Sequence, residues 1–326
     1  MKKLKIVVIP ILFVILIRIL FGASIFDDFV SVMSWTFFIT VPMGLGALMV
    51  YLSPLKQAKL LGYALFAPWL LVLAVIAITI LIELEGWGCW LMISPLFFIF
   101  SSMGGGVGRY FKIRKSKKQE NLNISILVVL PFLIGPLENS ITTKPEIYTT
   151  HTSIIINSDA ETIWQNVTSV REIQKNEDHS QLIPLLGFPK PVKAELDTLA
   201  IGGFRKAIFE RGLIFNETVT QYEDQKLMTF QIKANTFEIP STTLDEHILI
   251  GGAYFDMLNG TYELKMTGKN QYKLILYSNF SMKTTFNSYA SIWGNWIMKD
   301  IQNNILKVIK SRSENKYDNL TSYNQN

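Results

Sequence analysis

The sequence is poor in residues that bind metals or form crosslinks, with one cysteine and three histidines in 326 residues. Cys89 alone cannot form an intrachain disulfide, and a thiolate zinc site needs more than one cysteine. His151, His179 and His247 lack the close spacing of a metal-binding pair. We therefore expect no bound metal and no cofactor.

Familiar catalytic motifs are also missing. The sequence has no GxSxG nucleophile elbow. The glycine run Gly104–Gly108 follows an apolar segment instead of a strand, so it does not predict a phosphate-binding loop. His247, beside Glu246, fits a solvated strand end better than a general base. Composition still permits a set of serine, histidine and aspartate, but no pattern identifies one. We name no catalytic residue and favour a non-catalytic protein.

Charge is scarce before position 138, where five apolar stretches are separated by short charged loops. Hydrophobic residues make up 49% of the chain and the mean hydropathy is +0.26, which is high for a soluble protein. About 20 apolar residues in a helix span the hydrocarbon core of a bilayer. We predict about five transmembrane helices, of which the first and last are short: Ile6–Phe21, Phe29–Leu52, Leu60–Ile82, Trp87–Ser102 and Leu122–Leu137.

Lysine and arginine occur only in alternate loops of this region. The basic segments are the amino terminus, the second loop and the fourth loop, with Lys2, Lys3, Lys5, Lys56, Lys59 and the run from Arg109 to Lys118. The intervening loops carry Asp27, Asp28, Glu83 and Glu85. Because positive charge collects on the cytoplasmic side, we predict the cytoplasmic membrane, an amino terminus inside and a carboxy-terminal domain outside the cytoplasm. Four crossings would invert this answer. The basic loop is a topology signal, and we expect no nucleic-acid partner.

The helices themselves suggest a passive base. Arg18 is either an intramembrane charge with a partner or an interface anchor, and its place near a helix end favours the anchor. Paired acids, buried histidines and inverted repeats are missing from these segments, which argues against a proton-coupled transporter. Gly104 and Gly108 have the GxxxG spacing that permits close helix approach, and they are predicted to end the fourth helix.

Polar residues alternate with apolar ones after Glu146, which indicates a water-soluble domain. We divide the chain into a membrane domain (1–138), a linker (139–145), a folded domain (146–313) and a disordered polar tail (314–326). The folded domain opens with a strand, Ile147–Asn157, and a short helix with a capping box of Ser158 and Glu161. A second helical stretch is predicted over 171–180.

Strands dominate the rest of the domain. We predict six: Phe204–Arg211, Leu213–Gln221, Leu227–Ala234, Ile248–Met257, Thr261–Met266 and Tyr272–Thr284. Asn259-Gly260 is the strongest hairpin signal among their connections. The last element is a long helix, Ser288–Arg312, whose apolar face contains Tyr289, Trp293, Ile297, Ile301, Ile305 and Val308.

Three segments carry a family resemblance: IINSDAETIWQNV, GGFRKAIFERGLIFNETV and IWGNWIMKDIQNNILKVIKSR. With the order of elements, they resemble the START-like or SRPBCC superfamily of polyketide cyclases, lipid-transfer domains and pollen allergens, over about Glu146–Arg312. The resemblance implies an α+β helix-grip domain, which here follows the α-helical transmembrane bundle predicted from the apolar segments. In that fold a curved antiparallel sheet wraps around a long C-terminal helix and leaves an apolar cavity.

The resemblance also implies that some aromatic side chains line the cavity, although core packing suits any one of them. The candidates for the cavity lining are the aromatic residues Phe204, Phe215, Phe230, Tyr254, Tyr262 and Trp293, together with Ile297. Arg205 and Glu217 lie on adjacent predicted strands. They pair either inside the cavity or across the exposed sheet face, and we favour the exposed face.

We expect a membrane-anchored START-like domain that binds a lipid or other hydrophobic small molecule without catalysis, with the bilayer as its partner. One alternative is an interaction module that docks a membrane protein partner. The other is a cavity enzyme of the cyclase, dehydrase or hydrolase type. Apolar walls would favour binding, convergent ionisable groups an enzyme, and a collapsed cavity with an exposed apolar patch the interaction module.

Overall fold

The computed structural model describes residues 2–26, 30–118, 125–141, 144–234, 251–252 and 254–323. The chain divides into two compact units. The first comprises Met1–Lys144 with Thr284–Phe286, and the second comprises Pro145–Lys283 with Asn287–Asn326.

The first unit is helical. Its helices are α1 (Lys2–Phe21), α2 (Trp35–Leu52), α3 (Leu55–Ala58), α4 (Leu61–Leu81), α5 (Trp87–Lys118) and α6 (Ser125–Asn139). Four helices among the described residues are long and apolar enough to cross a membrane, namely α1, α2, α4 and α5. This is the composition of a membrane protein. The fifth predicted segment forms α6, whose 15 residues measure about 22 Å. The structure therefore has four such helices where the sequence predicted five.

Helix α5 continues through the glycine run and the basic residues to Lys118, so the prediction that the glycines end it is wrong. Gly104 and Gly108 contact α2 so closely that an added Cβ would clash with the backbone carbonyls of Met43 and Ala47. The glycines are needed for this backbone contact, which confirms the close approach predicted from their spacing.

Arg18 is buried at the end of α1 and pairs with Glu85, and both side chains are 9% exposed. Its Nη2 also donates to the carbonyl oxygen of Leu84 at 3.3 Å. The interface-anchor interpretation is therefore wrong. A buried charge requires a partner, and Glu85 supplies it from the connection between α4 and α5.

The second unit contains one antiparallel sheet of seven strands among the described residues, in the order β1-β7-β6-β5-β4-β3-β2. Its elements are β1 (Glu146–Asn157), α7 (Ala160–Thr168), α8 (Leu182–Leu186), β2 (Pro191–Leu196), β3 (Phe204–Phe209), β4 (Ile214–Glu223), β5 (Leu227–Ala234), β6 (Phe255–Gly268), β7 (Gln271–Met282) and α9 (Asn287–Tyr323). Leu306 and Ile309 of α9 pack into one core with residues of the sheet. The predicted α+β arrangement, a curled sheet around a C-terminal helix, is confirmed.

The most deeply buried face of helix α9 lies beside the predicted one. Its residues include Gly294, Met298, Gln302, Leu306 and Ile309, whereas Trp293, Ile297, Ile301 and Ile305 of the predicted face are half-buried and its Val308 is buried. The helix also continues to Tyr323, through most of the tail expected to be disordered.

Two local features predicted from sequence, the cap of α7 and a helix over 171–180, differ in the structure because of contacts with distant residues. Asp159 caps α7 by accepting from the backbone N–H of Thr162 at 2.7 Å. Ser158, the predicted cap, instead donates to the carbonyl oxygen of Ser313 at 3.2 Å. Residues 171–180 form turns and extended backbone, not a helix, because their polar groups bond to α9.

The strand predictions failed mainly at β6 and β2. Asn259-Gly260 lies inside β6 and is not a hairpin turn. The Phe230 ring packs against Gly260, where a Cβ atom would clash with it. Four of the ten residues of the predicted strand Ile248–Met257 lie outside the described residues, and of the others only Phe255–Met257 are in a strand, at the start of β6. Strand β2 was not predicted, but its starting residue Pro191 is tolerated because β2 lies at the sheet edge.

Candidate functional site

Arg205 and Glu217 form a buried ion pair on the concave face of the sheet, which is the face that packs against α9. They lie opposite each other on β3 and β4, and the Arg205 Nη1 atom contacts the Glu217 Oε2 atom. Arg205 is 3% exposed and Glu217 is 4% exposed. The interpretation favoured from sequence, a pair on the exposed face, is therefore wrong.

Strand alternation explains why both charges point inward. On β4 the buried side chains are Phe215, Glu217 and Val219, which are spaced by two and share one face. Glu217 thus occupies a core position between two apolar residues. A carboxylate there needs a cation, and Arg205 lies directly opposite on the neighbouring strand.

Two aromatic rings complete the surroundings of the guanidinium. Its central carbon lies 5.1 Å from the ring centroid of Phe230 and 5.9 Å from that of Tyr262. The two ring centroids are 6.1 Å apart. These are distances at which a cation is attracted to an aromatic face. The charge pair is therefore enclosed by apolar and aromatic groups on the strands beside it.

Burial and pairing act on the ionisation of this cluster in opposite directions. Burial would lower the pKa of Arg205, but the charges of Glu217 and Tyr262 and the hydrogen bonds to them together outweigh it, and the net direction is upward. Burial raises the pKa of Glu217, and the charge and hydrogen bond of Arg205 oppose that rise. Burial raises the pKa of Tyr262, which also shares a hydrogen bond with Arg205. Arg205 therefore stays charged, and the Tyr262 hydroxyl stays protonated.

One donor of the cluster is not satisfied. In the part of the chain that the structure describes, the buried Nε of Arg205 has no hydrogen-bond partner. A buried unsatisfied donor costs about 1–3 kcal/mol. The cluster can therefore accept one further oxygen atom as a hydrogen-bond acceptor.

One apolar side chain beside this pair is only partly buried. Ile232 of β5 lies opposite Glu217, yet its side chain is only partly buried and packs against three apolar clusters of described residues. On the α9 side, Ile301 and Ile305 are also partly buried against two of these clusters. Ile232, next to Glu217, therefore contributes apolar surface that the described core does not fully cover.

The structure brings some of the predicted cavity residues together and separates others. Phe215, Phe230 and Tyr262 are buried on the concave face. Phe204 precedes inward-facing Arg205, so it lies on the opposite face and is 37% exposed; it cannot line a cavity on the concave side. The remaining candidates, Tyr254 before β6 and Trp293 and Ile297 on α9, are half-buried.

Sequence reasoning missed the inward direction of the ion pair and the central position of Ile232. A signal for the pair was present, since Glu217 alternates with Phe215 and Val219 while polar residues hold the intervening positions. For Ile232 no local signal distinguishes a partly open core position from a filled one.

The structure also contains an open groove of about 610 Å³ where β5 and β6 separate. Most of its lining is polar, and it contains none of the predicted cavity residues. The lining residues are Thr220, Thr229, Gln231, Ile232, Lys233, Gly251, Asp256, Leu258 and Asn259.

Metal ligands do not cluster in the described ranges, where no group of three or more histidine, cysteine, aspartate or glutamate side chains could hold an ion. His151 and His179 are exposed, and His247 lies outside the described residues.

No protein-family model and no curated protein matches the chain. Solved structures match its second half. A START superfamily protein from Mycobacterium smegmatis is 11% identical, with coverage of 51% of this chain and 97% of that one and a TM-score of 0.33. Norcoclaurine synthase from Thalictrum flavum is 13% identical, with coverage of 52% and 87% and a TM-score of 0.33. A protein from Nitrosospira multiformis is 13% identical, with coverage of 51% and 96% and a TM-score of 0.31.

The fold itself is assigned from the strand order and the packing of the last helix. A continuous antiparallel sheet with β1 and β2 at its two edges curls around a long C-terminal helix. The second unit of this chain has the helix-grip fold.

Proposed function

We propose that the second unit binds a hydrophobic small molecule of lipid size between α9 and the concave face of the sheet, and that the first unit anchors it to a membrane. The observation that carries the proposal is the buried Arg205–Glu217 pair with its unpartnered Nε, beside the partly open surface at Ile232. Small-molecule sites are typically apolar with a few placed polar groups, as here.

Stability alone does not account for the pair. The desolvation of two buried charges offsets most of their attraction, and apolar replacements of similar volume are often neutral or stabilising. The buried Arg205 Nε, which lacks an acceptor, lowers the stability of the fold further. A ligand oxygen that accepts from Arg205 Nε would remove that cost, which gives the pair a role in binding.

Charge balance favours a neutral polar group on the ligand. Arg205 and Glu217 already neutralise each other, so a carboxylate would add an uncompensated negative charge in a buried site. A hydroxyl or carbonyl oxygen would satisfy Nε without added charge. Burial of the apolar part would supply about 25 cal/mol per Å². We therefore expect an amphipathic ligand with a neutral oxygen-bearing head.

The test uses the full chain in detergent with two fluorescent probes of equal acyl length, a monoacylglycerol and a fatty acid. Wild type should take up the monoacylglycerol. Ile232→Trp, which fills the partly open position, should weaken uptake by roughly tenfold or more, equivalent to about 1.4 kcal/mol. Gln231→Trp is the matched control, because this neighbouring residue is exposed on the other face. Failure of the folded wild type to take up either probe would refute the proposal.

Contacts within the first unit support an odd number of crossings. Glu138, at the end of α6, accepts from the backbone N–H groups of Trp35 at 2.9 Å and Thr36 at 2.7 Å, where α2 begins. Beyond the other end of α2, Arg109 of α5 donates to the carbonyl oxygen of Lys59 at 3.3 Å. Helix α6 thus ends level with the start of α2 and far from the basic residues. We propose that α6, although short, completes a fifth crossing.

A cavity enzyme is the second candidate, because ionisable side chains do converge on the concave face. Arg205 pairs with Glu217 and lies within hydrogen-bonding reach of Tyr262. The carboxylate of Glu217 is held by Arg205, however, and so is poorly placed to act as a free base. Mass spectrometry of a bound ligand before and after incubation with the protein would separate the two functions, since only an enzyme would change its mass.

A further inference from the structure

The last part of α5 extends beyond the length of a membrane-spanning helix. Its 32 residues measure about 48 Å, whereas the hydrocarbon core is about 30 Å thick. The last three turns or so must therefore lie in the headgroup region or in water. Arg109, Lys112, Arg114 and Lys115 occupy this part of the helix.

Lys112 and Lys115 in this part of α5 contact one tyrosine of the neighbouring helix α2. The Nζ atoms of Lys112 and Lys115 each lie 5.5 Å from the centroid of the Tyr51 ring. Lys115 Nζ also hydrogen-bonds to the Tyr51 hydroxyl at 3.1 Å. Tyr51 is at the end of α2, and α2 contacts α5 closely through Gly108. We call Tyr51, Lys112 and Lys115 the Tyr51 cluster.

Within the described ranges no carboxylate forms an ion pair with Lys112 or Lys115, whose contacts there are with Tyr51. Lys56 and Lys59 lie at the same end of the unit, just after α2, and add to its positive charge. Two like charges on one ring repel each other, and an anion between them would relieve that repulsion.

We propose that the Tyr51 cluster binds the headgroup phosphate of an anionic phospholipid. The cluster lies where α5 leaves the hydrocarbon core, which is the depth of the lipid phosphates. Lysine ammonium groups and a tyrosine hydroxyl are suitable donors to phosphate oxygens. Basic sites between transmembrane helices are a known form of lipid headgroup recognition. This proposal does not depend on ligand binding by the second unit.

The test measures lipid binding to the detergent-purified full chain by native mass spectrometry, with phosphatidylglycerol and phosphatidylcholine of identical acyl chains. Wild type should bind phosphatidylglycerol more tightly. Lys112→Ala/Lys115→Ala should weaken that binding by about fivefold per lysine and leave phosphatidylcholine binding unchanged. Lys56→Ala/Lys59→Ala is the control, because it removes the same charge at the same end without touching the ring, and it should have a smaller effect.

Tyr51→Phe provides a second variant that keeps the ring and removes only the hydroxyl. It should weaken phosphatidylglycerol binding less than the double lysine variant, and it keeps the test decisive if that variant does not fold. Equal binding of both lipids by wild type, or an equal loss in the control pair, would overturn the proposal. Displacement of the lipid by millimolar inorganic phosphate would overturn the assignment to a phospholipid.

Discussion

Arg312 of α9 holds Glu177 through two parallel contacts, from Nε to Oε1 at 2.8 Å and from Nη2 to Oε2 at 2.6 Å. The same guanidinium donates to the carbonyl oxygens of Arg171 at 3.0 Å and Glu172 at 2.8 Å. The Arg312 side chain therefore holds residues 171–177 against α9. This arrangement satisfies backbone carbonyls that a helix over 171–180 would have used.

The Arg312–Glu177 pair makes this segment sensitive to acid. The hydrogen bond from Arg312 lowers the pKa of Glu177 from its ordinary value of 4.5. A carboxyl with a lowered folded-state pKa stabilises the fold above its ordinary pKa, and the effect is lost as pH falls through the lowered value. At pH 7, Arg312→Gln should reduce hydrogen-exchange protection of residues 171–180 by about 1 kcal/mol.

The gap between wild type and Arg312→Gln should close as the pH falls below about 4. Arg171→Gln is the control, because it removes the same charge from an exposed neighbouring position and should change little at either pH. A gap that stays constant with pH would show that packing, not the ion pair, holds the segment.

The ion pair on the concave face predicts opposite results for single and double substitutions. Glu217→Gln alone leaves Arg205 buried without its anion and should destabilise the protein by about 3–5 kcal/mol. Arg205→Met with Glu217→Leu removes both charges and should be neutral or stabilising in thermal unfolding. The double variant should nevertheless lose uptake of the monoacylglycerol probe. Retained uptake would show that the pair does not contact the ligand.

Local periodicity was enough to predict much of the fold. Strands β1 and β5 and the long last helix follow from alternation and helical spacing in their own residues. The predictions failed where a distant residue decides the local structure. Asn259-Gly260 has the composition of a hairpin turn, but β6 continues through these two residues and pairs with β5 there. The Phe230 ring of β5 occupies the space above Gly260.

The candidate site was less predictable, because its charges are paired through tertiary structure. Arg205 and Glu217 were recognised as neighbours on adjacent strands, but their direction depends on which face the last helix covers. Similarly, the partner of Arg18 is Glu85, 67 positions along the chain. Single-residue patterns give the position of a charge and not its burial, so the exposed face was favoured for Arg205 and Glu217 and an interface anchor for Arg18.

Gln302 should be the polar residue of α9 on which sheet packing depends most. Its buried side-chain amide donates to Ser278 Oγ at 3.0 Å and to the carbonyl oxygen of Thr150 at 3.3 Å, and it accepts from Thr152 Oγ1 at 3.1 Å. Gln302→Leu leaves these groups unsatisfied and should cost about 1–3 kcal/mol in chemical denaturation. Asn303→Leu, at the exposed neighbouring position, is the control. Equal effects would mean that the network is not what stabilises the helix.

The proposed fifth crossing predicts opposite accessibility for the last helix and for the basic segment after α2. In a Cys89→Ser background, a cysteine at exposed Ser311 of α9 should react with a membrane-impermeant maleimide in intact cells. A cysteine at exposed Lys56, in the basic loop after α2, should react only after lysis. Positive charge favours the cytoplasmic side for that loop, and the contact of Glu138 with the start of α2 favours an exit of the chain on the other side. If both cysteines react only after lysis, α6 does not complete a crossing and the second unit faces the cytoplasm.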